Sequence, residues 1–81
     1  MDEKMILDKL TKIVRDVTGD DDIVVDKEAN FIDDLDIMSI ELFQMIIQVE
    51  DEFGIAIPDT VVGDFVTVKD IVDFIGNKVN N

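Results

Sequence analysis

The segment over residues 40–49 restricts the fold of this chain more than any other, because it is apolar at all but three positions. Those three are Glu41, Gln44 and Gln48, which lie three and four residues apart and so fall on one narrow stripe of a helix. The pattern predicts a helix over residues 39–53. Its apolar arc is wider than one core-facing side requires, so the helix either lies at the centre of a bundle or presents part of that arc to another molecule.

Residues 3–17 also have the periodicity of an amphipathic helix. The basic residues Lys9, Lys12 and Arg15 lie in its later half, where they suit the negative end of the helix dipole. Gly19 then favours a stop. The side of this helix that faces the core is predicted to hold Ile6, Leu10, Ile13, Val14 and Val17.

The C-terminal part of the chain has two further helical signals. Residues 59–65 fit one short helical turn with Asp59 as its cap. Thr67, followed three positions later by Asp70, resembles a capping box with aspartate in place of glutamate. It begins a last helix that runs to about residue 78. The inward-facing residues of that helix are predicted to be Val68, Ile71, Val72 and Ile75.

A long connection, residues 19–38, joins the first two helices. A structureless loop of that length is unusual inside a compact domain. Its recurring apolar residues predict that it is pinned across the helices, with a possible turn of helix near residues 32–36; they are Ile23, Val25, Phe31, Leu35 and Ile37. The chain is therefore predicted to be all-α, a small four-helix bundle of three main helices and one short helix, forming one domain over residues 1–81.

The chain has no cysteine and no histidine among its 81 residues. The first absence excludes disulfides, redox chemistry and thiolate metal sites, and the second removes the commonest acid–base side chain. Catalysis would have to depend on carboxylates, a few hydroxyls and lysines, so the composition argues against an enzyme. The aspartate-rich runs over residues 20–22 and 33–36 lack the spacing and glycine of a calcium-binding loop, so we expect no defined metal site.

Twenty acidic residues against seven basic ones give the chain a net charge of −13. Ten of the acidic residues and no basic one lie between Glu28 and Val68, so the second and third helices and the connection before them form an acidic surface. Such a surface repels nucleic acid and anionic lipid and attracts proteins with basic patches. The N-terminus has no apolar leader and no segment is long enough to span a membrane, so we expect a cytoplasmic monomer.

Ser39 lies where the acidic connection meets the most apolar helix. Without a histidine to act as its base, the hydroxyl is not expected to be a catalytic nucleophile. Taken alone, a serine at this place is most simply an N-cap. The other interpretation is a point of covalent attachment, in which case the cap is shared or moved, for instance to Asp36.

An ordered set of residues resembles the acyl carrier protein family over nearly the whole chain. The family pattern is a phenylalanine, an acidic Asp-Leu segment, a serine that opens a helix, an acidic cluster, and Phe-Gly-Ile-x-Ile-Pro. Thr67 and Val68, followed by an amphipathic helix, also fit. The matching residues here are Phe31, Asp34, Leu35, Ser39, Glu50, Asp51, Glu52, Phe53, Gly54, Ile55, Ala56, Ile57, Pro58 and Asp59.

The resemblance implies that Ser39 carries a covalent 4′-phosphopantetheine arm, which a dedicated transferase adds and whose thiol holds acyl groups as thioesters. This agrees with a chain that has no thiol of its own. A phosphodiester at Ser39 would lie at a helix N-terminus, where free amides and the dipole favour negative charge. The resemblance also implies that acyl-handling enzymes with basic patches dock on Ile40, Glu41, Phe43, Ile47, Glu50, Asp51 and Glu52.

Four positions depart from the family pattern. Met38 replaces the aspartate that usually precedes the serine, and Ile40 replaces the leucine that follows it. Asp36 stands where glycine is common, and Gln44 replaces a frequent glutamate. These departures favour a carrier in a specialised lipid or polyketide pathway, although fatty-acid synthesis and other cargoes stay open because fold does not settle function. The alternative is an acidic binding or regulatory module on the same fold that is never modified.

Overall fold

Four helices make up the regular structure of residues 2–80, which is the part of the chain that the computed structural model describes. These residues contain no strand, so the predicted all-α fold of three main helices and one short helix is confirmed. Residues 1 and 81, the ends of the predicted domain, lie outside the described residues. The helices are α1 (Glu3–Thr18), α2 (Ser39–Phe53), α3 (Asp59–Val62) and α4 (Val68–Val79).

Helix α1 begins at the predicted residue and ends one residue beyond the predicted range of 3–17. It begins after Asp2, whose carboxylate accepts the Met5 N–H at 2.8 Å. It ends at Gly19, which has a φ of 72° and donates its N–H to the Arg15 carbonyl at 2.9 Å. A glycine tolerates this left-handed conformation without strain, so the stop follows from the residue type. The helix buries Ile6, Leu10, Ile13 and Val14 and leaves Val17 partly covered.

Helix α2 divides its apolar residues between the core and the surface. Met45, Ile46 and Val49 are buried, and α2 packs against α1, which also packs against α4. Ile40, Phe43 and Ile47 are exposed on the same helix. Of the two explanations for its wide apolar arc, the structure therefore supports the second, in which part of the arc is open to another molecule.

The prediction for the third helix was wrong in its length and in its cap. Helix α3 has four residues, Asp59–Val62, and Pro58 rather than Asp59 is the N-cap. Pro58 has the extended conformation that an N-cap requires (φ −63°, ψ 144°), whereas Asp59 is already helical. The chain leaves the helix at Gly63 and turns to bury Phe65.

The long connection is pinned across the helices, as its apolar residues predict. Its middle runs antiparallel to the start of α4, because Phe31 donates its N–H to the Val66 carbonyl at 3.0 Å and Val68 donates to Ala29 at 3.0 Å. Lys69 extends the pairing by donating its N–H to Lys27 at 2.9 Å. The connection also contributes Val25, Phe31, Leu35 and Ile37 to the core.

Residues 31–35 form one hydrogen-bonded turn, in agreement with the possible turn of helix near residues 32–36, although this turn is not extended into a helix. The Asn30 side-chain oxygen accepts the N–H groups of Ile32 and Asp33, each at 3.0 Å, and the Asn30 carbonyl accepts those of Asp34 and Leu35. An asparagine side chain that accepts the second and third amides after it makes the contacts of an N-cap, so Asn30 stabilises the single turn that follows.

The capping box at the start of α4 is present as predicted. The Asp70 carboxylate accepts the N–H groups of Val66 and Thr67, each at 3.0 Å, and the Thr67 hydroxyl accepts the Asp70 N–H at 3.4 Å. The hydrogen bonds from the Thr67 and Val66 backbone amides hold the pKa of Asp70 below its usual 3.8.

Replacing Asp70 with asparagine should lower the free energy of unfolding at pH 7 by about 1 kcal/mol, because a neutral amide oxygen is a weaker acceptor than a carboxylate. The lowered pKa of Asp70 means that its stabilisation is present above pH 3.8 and is lost as the pH falls through the folded-state pKa. Asp70→Asn should therefore lose less stability than the parent between pH 7 and pH 3, as measured by urea unfolding at both values.

The matched control for this prediction is Asp64→Asn. It removes the same charge from an exposed aspartate whose side chain makes no hydrogen bond within residues 2–80. Asp64→Asn should keep the stability and the pH dependence of the parent. Equal pH dependence of the Asp70→Asn and Asp64→Asn proteins would contradict the role given to the capping box.

Candidate functional site

Ser39 is the first residue of α2 and not its cap, so the N-cap interpretation was wrong. The N-cap is Met38, whose backbone is extended (φ −94°, ψ 174°) and whose N–H lies 3.4 Å from a carboxylate oxygen of Glu41. Asp36 does not take over the cap either. The Ser39 side chain is exposed, and its hydroxyl has no hydrogen-bond partner within residues 2–80. The hydroxyl is therefore free to react with another molecule.

The backbone has an unusual conformation just before Ser39, at Asp36. Asp36 has a φ of 54°, which makes it the single non-glycine residue with positive φ within residues 2–80. The next residue, Ile37, is buried and donates its N–H to the Phe31 carbonyl at 2.8 Å. The left-handed residue and this anchor come directly before the start of α2, where Ser39 is exposed. The positive φ of Asp36 also explains why glycine suits this position, since glycine adopts positive φ without strain.

The start of α2 offers backbone N–H groups to a negative charge on Ser39. The first hydrogen bond of the regular helical pattern is donated by Leu42 to the Met38 carbonyl at 2.8 Å. The N–H groups of Ser39 and Ile40 precede it and so have no helical carbonyl to bind. They lie at the positive end of the dipole of a 15-residue helix. A phosphodiester on the Ser39 oxygen fits this environment.

Two apolar openings lie next to this helix start. A surface notch of about 550 Å³ is lined by Ile32, Met38, Ser39, Ile40 and Glu41. A second cleft of about 330 Å³ runs between the connection, α2 and α3, and Phe31, Leu42, Val62 and Phe65 are among its lining residues. Ile32 lines both openings, whereas Ser39 lines only the notch.

The apolar residues predicted to bind partners share one exposed side of α2. Ile40, Phe43 and Ile47 are spaced three and four residues apart and are all exposed. Glu41 is half-buried beside them and contacts the Met38 N–H. The structure therefore brings these four of the predicted docking residues together, next to Ser39.

The three acidic residues at the end of α2 have different surroundings. Glu50 is half-buried, and its carboxylate accepts the Ile57 N–H at 2.8 Å, which ties the loop after α2 back to the helix. Glu52 forms an ion pair with Lys9 at 2.8 Å, and that hydrogen-bonded contact lowers the pKa of Glu52. Asp51 is exposed and its side chain has no partner within residues 2–80. Sequence reasoning missed the structural role of Glu50, because a single sequence does not show which loop amide folds back onto it.

Residues 2–80 lack three structural features that can mark a functional site: buried polar side chains, clusters of metal ligands and membrane-spanning helices. No polar or charged side chain in this range is buried, and no three carboxylates are grouped so that they could hold a metal ion. In the same range, no helix has the length and apolar character needed to cross a bilayer. The most distinctive chemical feature of the described chain is therefore the exposed Ser39 hydroxyl at the start of α2.

Comparison with known proteins agrees with this site. Residues 8–75 match a family model described as a phosphopantetheine attachment site. An acyl carrier protein from Myxococcus xanthus is 47% identical over 70 residues, which are 86% of this chain and 89% of the relative. One from Micrococcus luteus is 47% identical over 70 residues, or 86% of each chain. One from Thermosynechococcus vestitus is 40% identical over 79 residues, or 98% of each chain.

The positive φ of Asp36 gives a prediction about stability. Asp36→Val should be less stable than Asp36→Asn by about 1–2 kcal/mol, because asparagine tolerates the left-handed conformation and a β-branched residue does not. Both variants remove the same charge, so each is the control for the other. Urea unfolding of the two proteins measures the difference, and equal stabilities would contradict a left-handed backbone at this position.

Proposed function

Because this chain belongs to the acyl carrier protein family, we propose that its only serine, Ser39, is the residue that carries 4′-phosphopantetheine. The observation that carries the proposal is the free, exposed hydroxyl at the first position of α2. Three of the four threonines have their hydroxyls engaged: Thr11 and Thr18 donate to helix carbonyls, and Thr67 caps α4. Thr60 is exposed but lies on the four-residue helix α3.

Members of this family are carriers and not enzymes, and their prosthetic group is covalent. When bound, 4′-phosphopantetheine supplies the thiol that this chain lacks and holds acyl groups as thioesters. The part played by the protein is to present the Ser39 oxygen and to stabilise the charge of the phosphodiester with the N–H groups and dipole of α2. Asp36 and Ile37 keep that helix start in place.

The proposed cargo is an acyl intermediate of fatty-acid synthesis or of a specialised lipid or polyketide pathway. The names of the relatives support an acyl group in general. Met38 and Ile40, which replace the aspartate and leucine of the family pattern around the serine, support a carrier with its own set of enzymes. Because Met38 and Ile40 are apolar and exposed, partner enzymes would not recognise this site by charge alone.

The proposed docking surface is the exposed side of α2. Its apolar part is formed by Ile40, Phe43 and Ile47. Its acidic part includes Asp51, whose exposed side chain has no partner within residues 2–80. Glu41 and Glu52 add negative charge, although each already has a contact within the chain. Enzymes that load the carrier or act on its acyl group would bind this surface with apolar residues surrounded by basic ones.

The attachment proposal predicts that Ser39→Ala abolishes loading. A phosphopantetheinyl transferase with coenzyme A should add the arm to the parent protein and to Thr60→Ala, but not to Ser39→Ala. Intact mass spectrometry measures the product in each case. A mass gain in Ser39→Ala would contradict the assignment of the residue, and a parent that several transferases fail to load would support the unmodified binding module instead.

The docking proposal predicts that charge reversal at Asp51 slows loading. Asp51→Lys should lower the kcat/KM of a transferase with a basic docking patch by on the order of tenfold at low salt, because it opposes electrostatic encounter. The difference from the parent should shrink as salt is added. Asp21→Lys makes the same change in charge on an exposed residue of the connection, far along the chain from α2, and should have little effect. Equal slowing by the two variants would mean that net charge, and not this surface, controls the rate.

A further inference from the structure

The notch beside Ser39 exposes three large apolar side chains to water at one place. Ile32 and Met38 are each 63% exposed and Ile40 is 75% exposed. The only polar residues that line the notch are Ser39 and Glu41. Exposed apolar residues that are scattered singly are normal, but a cluster that surrounds a reactive hydroxyl indicates a binding surface.

The backbone holds the walls of this notch in place before anything binds. Ile32 donates its N–H to the Asn30 side chain at 3.0 Å, and its neighbour Phe31 is buried. Met38 follows the buried Ile37, and its own N–H is held by Glu41. A preformed apolar recess needs little reorganisation to accept an apolar group.

In the modified protein, the arm itself brings an apolar group to this notch. In phosphopantetheine, the CH2 group that is esterified to the phosphate is followed by a carbon that bears two methyl groups. Attachment through Ser39 keeps these methyls close to the notch at an effective concentration of about millimolar or higher. The contact is then populated at least half of the time if its dissociation constant is no higher than this effective concentration.

We propose that the notch formed by Ile32, Met38 and Ile40 is the resting site of the dimethyl segment of the arm, an inference that rests on the attachment of the arm to Ser39. The second cleft, between the connection, α2 and α3, is a less direct site for this segment, because Ser39 lines the notch and does not line that cleft. An enzyme surface is also a less direct occupant, because it would have to be recruited from solution. The contact sets the direction in which the arm leaves the protein.

Nuclear Overhauser effects in the holo protein test this contact directly. The protein is first loaded and its mass checked, so that failure of attachment is recognised before the arm is examined. The geminal methyl protons of the arm should then give cross-peaks to the Met38 ε-methyl and to the side-chain methyls of Ile40.

A matched pair of variants separates the notch from the rest of the apolar surface. Ile32→Ala removes one wall of the notch and should cause loss of the cross-peaks from the arm to Met38 and Ile40, although both of those residues are retained. Ile47→Ala is the control: Ile47 is 65% exposed, close to the value for Ile32, and lies on the same side of α2 as Ile40. It does not line the notch, so the cross-peaks should be unchanged.

Three results would overturn the inference while leaving attachment at Ser39 intact. The arm could give no cross-peaks to the protein, or it could give them to Leu42 and Val62, which line the second cleft. Alternatively, Ile32→Ala could leave the spectrum of the holo protein unchanged and slow only the partner enzymes, which would make the notch a contact for those enzymes. If the loading reaction adds no mass to the protein, the attachment proposal itself is rejected.

Discussion

The antiparallel pairing between the long connection and the start of α4 determines where α2 begins, and the properties of Ser39 depend on that. The hydrogen bonds between Phe31 and Val66 and between Val68 and Ala29 fix the middle of the connection against the bundle. From there the Phe31 carbonyl accepts the Ile37 N–H, and Asp36 takes the left-handed conformation just before α2. Ser39 therefore follows a fixed turn and faces solvent, and its hydroxyl is not consumed as a cap.

Helix α2 has two functions that compete for the same apolar residues. Met45, Ile46 and Val49 bury one side of it and help to hold the bundle together, while Ile40, Phe43 and Ile47 stay in water on the other. Leaving large apolar groups exposed costs solvation free energy, and we attribute that cost to binding. The surrounding negative charge, with no cation between Glu28 and Val68, limits non-specific association of this surface.

The sequence was sufficient where local rules decide the structure. The limits of α1 and α2 followed from apolar periodicity and from Gly19 and the helix-ending Gly54, both at positive φ. It was insufficient where distant or competing hydrogen bonds decide. The Glu50 carboxylate binds a loop amide seven residues away, and Phe31 donates its N–H to the Val66 carbonyl. Ser39 could not be separated from an N-cap until the extended backbone of Met38 showed which residue precedes the helix.

The most direct test of a carrier built on Ser39 is the intact mass of the protein isolated from its native host, followed by fragmentation around that residue. The account predicts a mass increase equal to phosphopantetheine that maps to Ser39, the single serine of the chain. A further thioester mass on the same fragment would identify the acyl cargo. A native protein with an unmodified Ser39, or with the added mass on another residue, would contradict the account.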